Sequence, residues 1–138
     1  VNQWKFNAYE RSANWSDVIK PDNISVIDFL EILDEFWQVG KIISSIHQKL
    51  VNGMALIMIQ KSPGAGLGRG ASFGTEKPRL YLTLESGKAK IVKAKNWAGI
   101  ENPNGLITDF SIIQGAKMTQ KGLWHHEGED PLEKKGRY

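Results

Sequence analysis

The chain contains no cysteine, which excludes a disulfide framework and any thiolate-held metal site and fits a cytoplasmic protein. No run approaches the roughly 18 to 20 apolar residues that cross a bilayer, and no charged segment followed by an apolar one opens the sequence as a secretory leader would. No membrane partner is expected. Nowhere does a glycine-rich stretch end in Gly-Lys-Ser or Gly-Lys-Thr, so the usual phosphate-cradling loop, with its lysine and its magnesium-binding hydroxyl, is missing from these residues. Charge of one sign is also scarce: 18 Lys and Arg stand against 15 Asp and Glu, a formal net charge of +3.

What is present suffices for one folded core. Of the 138 residues 41% are apolar and 24% charged, a balance that rules out a disordered chain. The basic residues are unevenly spread, with Lys77, Arg79, Lys88, Lys90, Lys93 and Lys95 in one stretch. Such clustering suits an anionic partner, and a solvated hairpin face would produce it equally. An opening Val1 in place of methionine fits a fragment or a processed chain.

Trp4, Phe6 and Ala8 alternate as a short half-buried strand would. After the breaker Lys20-Pro21-Asp22-Asn23, the run Ile24-Ser25-Val26-Ile27-Asp28-Phe29-Leu30 reads as a buried strand with an acid near its C-terminal end. From Asp34 to Leu50, Phe36, Val39, Ile42, Ile43, Ile46 and Leu50 recur at three- and four-residue spacing, which predicts an amphipathic helix. Asn52-Gly53 supplies a left-handed helix terminator, and Met54-Ala55-Leu56-Ile57-Met58-Ile59-Gln60 forms a second buried strand. Strand, helix and strand make a parallel βαβ unit.

Residues 61–77, with Gly64, Gly66, Gly68, Gly70 and Gly74, predict a mobile loop. Residues 79–85 and 88–95 alternate on either side of Ser86-Gly87 and predict a β-hairpin. Asn102-Pro103-Asn104-Gly105 marks a turn, and residues 108–113 a further strand. From residue 117 onward charge dominates and periodicity is lost. The expected organisation is therefore an α/β domain over residues 1–116 and a charged, mobile tail over 117–138.

Several side chains could carry chemistry. Asp28 stands where open α/β sheets place their ligands; it either holds a cation or serves as a helix cap or lysine partner. Gln60, at the matching end of the next strand, either senses a ligand through its amide or merely reaches water. The glycine-rich loop offers Lys61, Arg69 and Lys77, either for a phosphodiester backbone or as a disordered connection. Lys93 and Lys95 fall on one side of their strand, facing either a phosphate or solvent. The group His125, His126, Glu127, Glu129 and Asp130 suits a metal poorly, since adjacent histidines point apart.

Taken in order, residues 24–115 resemble the RecA and DnaB group of ring- or filament-forming ATPases. Ile24-Ser25-Val26-Ile27-Asp28-Phe29-Leu30 is similar to the Walker B strand, with Phe-Leu matching the aromatic-leucine pair of DnaB-type helicases. Leu56-Ile57-Met58-Ile59-Gln60 resembles the strand that ends in the glutamine sensor, and the glycine-rich segment resembles the second DNA-binding loop of RecA. Lys88-Ala89-Lys90-Ile91-Val92-Lys93-Ala94-Lys95-Asn96 with Phe110-Ser111-Ile112 resembles the strand pair whose Lys-x-Lys motif reaches a neighbouring subunit's phosphates. The chain departs from the family in lacking Walker A, and Glu10 is poorly spaced for the family's catalytic glutamate.

The resemblance implies part of a RecA-like sheet: the parallel βαβ unit, then the hairpin and a further strand. It implies the C-terminal portion of a helicase- or recombinase-type, DNA-dependent ATPase of phage or prophage replication and recombination modules. In the complete protein it implies ATP and Mg2+, with Asp28 on the magnesium ion. Gln60, Lys93 and Lys95 would be catalytic, and Lys61, Arg69 and Lys77 would lie on single-stranded DNA. It further implies a homo-oligomeric ring or filament, and little activity in this chain alone. The rival reading is a nucleic-acid-binding module that hydrolyses no nucleotide.

Overall fold

The computed structural model describes residues 5–32 and 34–130. Strand β1 (Ile24–Leu30), helix α1 (Gln38–Lys49) and strand β2 (Met54–Ile59) form the expected parallel βαβ unit. Ile24 pairs with Met54 and the register runs evenly to Ile27 with Ile57, then slips so that Leu30 meets Ile59. The Asp28–Phe29 peptide inside that irregularity is cis.

The apolar stripe of α1 does what its spacing demands. Val39, Ile43 and Ile46 are buried against Ile27 and Leu30 of β1 and against Ile57 and Ile59 of β2, and Trp15, in a 3-10 turn at Trp15–Val18, packs against the same core. Burying each such side chain contributes about 1.5–3 kcal/mol, so this face holds the unit together. The helix starts at Gln38 rather than Asp34 because Glu35, with φ 54°, cannot be helical; the Gln38 side chain donates back to the Glu35 carboxylate across this turn.

Gly53 is required, though not for the expected reason. It does not take a left-handed conformation. Instead a Cβ there would lie 2.4 Å from the Asn23 carbonyl oxygen and 2.6 Å from that of Pro21, because the Gly53 N–H donates to Pro21 at 2.8 Å as the chain enters β2.

Strands β3 (Leu80–Glu85), β4 (Lys88–Ala94), β5 (Ile107–Ile113) and β6 (Lys117–His125) form an antiparallel meander in sequence order. The hairpin and the βαβ unit, expected in one sheet, thus lie in two separate sheets. The β3–β4 turn is the two-residue Ser86-Gly87, with Gly87 at φ 74°. Strand β6 occupies residues expected to be a mobile tail. Its pairing with β5 is carried by the main chain, and most of its side chains are exposed, so no alternation betrays it in the sequence. Residues 131–138 of that tail lie outside the described residues, as does Trp4; Phe6 and Ala8 are in no strand.

The glycine-rich segment also differs from expectation. Its second half carries a 3-10 turn at Ala71–Thr75, and Gly68, Gly70 and Gly74 are buried. At Gly68 an added Cβ would meet Ile59 Cγ2 and the Tyr81 hydroxyl, each at 3.0 Å; at Gly70, with φ 95°, it would meet Val39 Cγ2 at 2.6 Å. Glycine here permits close packing of backbone on core. Among the described residues no helix is long and apolar enough to cross a membrane.

Candidate functional site

Asp28 and Gln60 come from hydrogen-bonded parallel strands, both at the C-terminal end. In β1 the alternation sets Ile24 and Val26 on the face away from α1, and in β2 it sets Met54, Leu56 and Met58 there; Asp28 lies where the register slips, exposed between Ile27 and Leu30, which both pack toward α1. The acid and the amide are both exposed and stand at one end of the sheet. Asp28 caps no helix, since the N-cap of α1 is Trp37, and it pairs with no lysine among the described residues.

An open groove of about 830 Å3 lies between residues 5–11 and β1. Its lining includes both Asp28 and Glu10, so folding brings to one groove two carboxylates whose sequence spacing gave little reason to associate them. A single exposed carboxylate at a strand end suits a magnesium ion that draws its other ligands from water and phosphate oxygens. Among the described residues no three His, Asp or Glu side chains converge as a protein-only metal site would need. That includes the 125–130 group: His125 is buried with Nδ1 3.0 Å from the Leu123 carbonyl, and the Glu129 carboxylate accepts from the His126 N–H.

The loop that follows Gln60 is tied down at several points. The Arg69 N–H donates to the Gln60 carbonyl at 2.9 Å, and the Gly68 N–H donates to the Tyr81 hydroxyl at 2.9 Å. The Lys61 ammonium donates to the Ala65 carbonyl and to the Glu85 carboxylate, each at 2.6 Å. Glu85 is held below the usual carboxylate range, first by that hydrogen bond and then by the lysine's charge, with burial acting weakly against them and Lys88 adding a little. Arg69 is exposed, its guanidinium 5.8 Å from the Phe36 ring centre. The three basic residues assigned to the loop therefore differ: Lys61 is engaged internally, Arg69 faces outward, and Lys77 belongs to a second group.

That second group surrounds Lys95. Leu80 pairs with Ala94 and Tyr81 with Lys93, and the Lys95 N–H donates to the Arg79 carbonyl at 2.8 Å, so the ladder continues to set Arg79 opposite Lys95. Arg79, Tyr81, Lys93 and Lys95 consequently share one face of the hairpin. The Lys95 ammonium donates to the Glu76 carbonyl. Lys95 is pushed below the ordinary lysine range by desolvation, and further by Lys93, Lys77 and Arg79, with Glu76 acting in the opposite direction.

Sequence reasoning missed three residues that build the loop and this corner. Asn104 accepts from the Ala94 N–H at 2.6 Å and donates to the Ala94 carbonyl at 3.3 Å, so its side chain replaces a strand partner between Lys93 and Lys95. Tyr81 links loop and hairpin, and Glu85 holds Lys61. The Asn-Pro-Asn-Gly turn was the available signal for Asn104; nothing in the sequence pointed to the other two.

Comparison of the chain with family models, with curated proteins and with solved structures returns no match.

Proposed function

We propose that this chain is the C-terminal portion of an ATP-dependent, DNA-binding ATPase of helicase or recombinase type. The observation that carries the reading is that Asp28 and Gln60, both exposed, stand at the same C-terminal end of adjoining parallel strands. In open α/β sheets the carboxyl ends of the strands are where ligands bind. A magnesium-bound triphosphate would supply the electrophilic phosphoryl group at that end. The residues of this chain do the positioning: Asp28 offers one hard oxygen ligand, and Gln60 offers an amide able to donate and accept.

Coupling to the loop has a direct route in this reading. The main chain of Gln60 accepts from Arg69, so a shift of Gln60 is transmitted to the segment proposed to hold single-stranded DNA. Exposed Arg69 is the residue best disposed to a phosphodiester, while Lys61 would first have to leave Glu85. Lys93 and Lys95 act as a basic finger toward the nucleotide of a neighbouring copy in a ring or filament. The exposed apolar face of β1 and β2 supports a larger parent domain, because parallel sheets are ordinarily covered on both faces.

The coding sequence upstream of Val1 tests the proposal. A glycine-rich loop ending in Gly-Lys-Ser or Gly-Lys-Thr and running into a helix is the expected finding. An in-frame start with no such loop would overturn it. The isolated chain should turn over ATP negligibly, and hydrolysis by highly purified protein that Asp28→Ala abolishes would contradict the division of labour.

A further inference from the structure

We infer that Lys77 and Arg79 join Lys93 and Lys95 in one compact site for the terminal phosphates of a nucleoside triphosphate. This deepens the reading of Lys93 and Lys95 given above and moves Lys77 from the DNA loop to the phosphate finger. The first argument is the register. Arg79 stands opposite Lys95 across β3 and β4 on the face that also carries Lys93, and like charges set directly opposite on neighbouring strands are destabilising. A hairpin that keeps this arrangement holds it for an anion.

The second argument is that internal neutralisation is incomplete. Neither the Arg11–Asp17 nor the Lys61–Glu85 ion pair involves this group. The Lys95 ammonium is held by the main-chain carbonyl of Glu76, and among the described residues the carboxylate of Glu76 is the one negative charge set against those of Lys93, Lys77 and Arg79 there. Lys77 is the next residue along the chain, and its charge and those of Arg79 and Lys93 all act on Lys95.

Rigidity is the third argument. Asn104 satisfies both main-chain groups of Ala94, the residue between the two lysines, so the finger is braced before any ligand arrives. Four cations gathered on one corner match a compact group bearing several negative oxygens. A phosphodiester backbone, with one charge per residue strung along a groove, matches them less well. Arg79 contributes a planar fork suited to two phosphate oxygens, whereas the lysines act as point charges.

The test uses the full chain at low salt, with inorganic tripolyphosphate, ATP and a short oligothymidylate as probes, followed by calorimetry and amide chemical shifts. Tripolyphosphate and ATP are expected to bind saturably and to shift amides near residues 77–79 and 93–95. Arg79→Ala and Lys77→Ala should each weaken tripolyphosphate binding about tenfold, the loss of one charge-assisted contact, with Lys41→Ala on α1 as the control and Arg79→Lys recovering only part of the loss. Arg79 and Lys77 are exposed, and unchanged amide spectra elsewhere will verify the fold. If Lys93→Ala and Lys95→Ala weaken binding while the Arg79 and Lys77 variants do not, the inference fails and the finger reading survives. If none of the four matters, or no saturable binding occurs, both fail. Loss of oligothymidylate binding in Arg79→Ala with tripolyphosphate binding intact would make the corner a backbone site and overturn the assignment.

Discussion

The two sheets differ in what closes them: a helix packs on one face of the parallel pair, and the meander is lined by lysines. In the βαβ unit one face is closed by Val39, Ile43 and Ile46, and Val39 is 0% exposed; yet the other face leaves Ile24 72%, Val26 59% and Leu56 53% exposed. In the β3–β6 meander the buried set is small, with Ala89, Ile107 and Phe110 beside Thr83, Thr108 and His125; lysines line its strands, and Leu80, Leu82 and Leu84 stand exposed among them. Antiparallel meanders stand with one face in water, whereas parallel strands rarely do. The contrast teaches that, among the described residues, α1 covers one face of β1 and β2 and leaves the apolar residues of the other open.

Truncation on the two faces of the βαβ unit gives the largest expected effect and the sharpest test of this contrast. Ile46→Ala should cost about 2–5 kcal/mol in chemical denaturation, because Ile46 is 1% exposed at the centre of the helix-facing core. Leu56→Ser, on the open face, should stay within about 0.5 kcal/mol. Equal losses would mean that the open face is covered in solution.

The glycine-rich loop comes next, because it belongs to neither sheet and rests on both. Gly70→Ala combines a left-handed φ of 95° with a Cβ placed 2.6 Å from Val39 Cγ2, and should cost about 1–3 kcal/mol. The same change at Gly64, where nothing lies within 4 Å but φ is 73°, should cost about 1 kcal/mol. If the two variants melt together, the second half of the loop is not packed on α1 in solution.

How much of this could be read in advance follows from what each signal reports. Periodicity located α1 because its burial is one-sided, continuous apolar runs located β1 and β2 although each proves exposed on one face, and the Ser86-Gly87 turn located the hairpin. Strand β6 escaped because its side chains are largely exposed and main-chain pairing leaves no mark on side-chain pattern. Gly68 and Gly70 were legible as glycines but not as packed glycines, since the atoms they make room for, on Val39, Ile59 and Tyr81, come from other elements. Of the candidate site, the position of Asp28 and Gln60 at the ends of their strands was legible. The partition of the basic residues was not, because Glu85 lies 24 residues from Lys61 and Asn104 lies 10 from Ala94.

The smallest expected effect is the most local, and it asks whether the loop's first half is held by the meander. The Lys61–Glu85 bond runs between the segment that follows β2 and the end of β3. Because Glu85 titrates below its ordinary range when paired, the unfolded or released form binds protons more readily. The stability this pair contributes is therefore complete above the ordinary glutamate value and is lost as pH falls through the lowered one. Hydrogen-exchange protection of the Ala65 amide, whose carbonyl also accepts from Lys61, should fall across that acid window in the parent chain. In Glu85→Gln it should begin lower and change little with pH, while protection along α1 stays the same in both. A variant that retained the parent's acid dependence at Ala65 would show that the loop is held by Gly68 and Tyr81 without help from the ion pair, and would leave Lys61 free to meet an external phosphate.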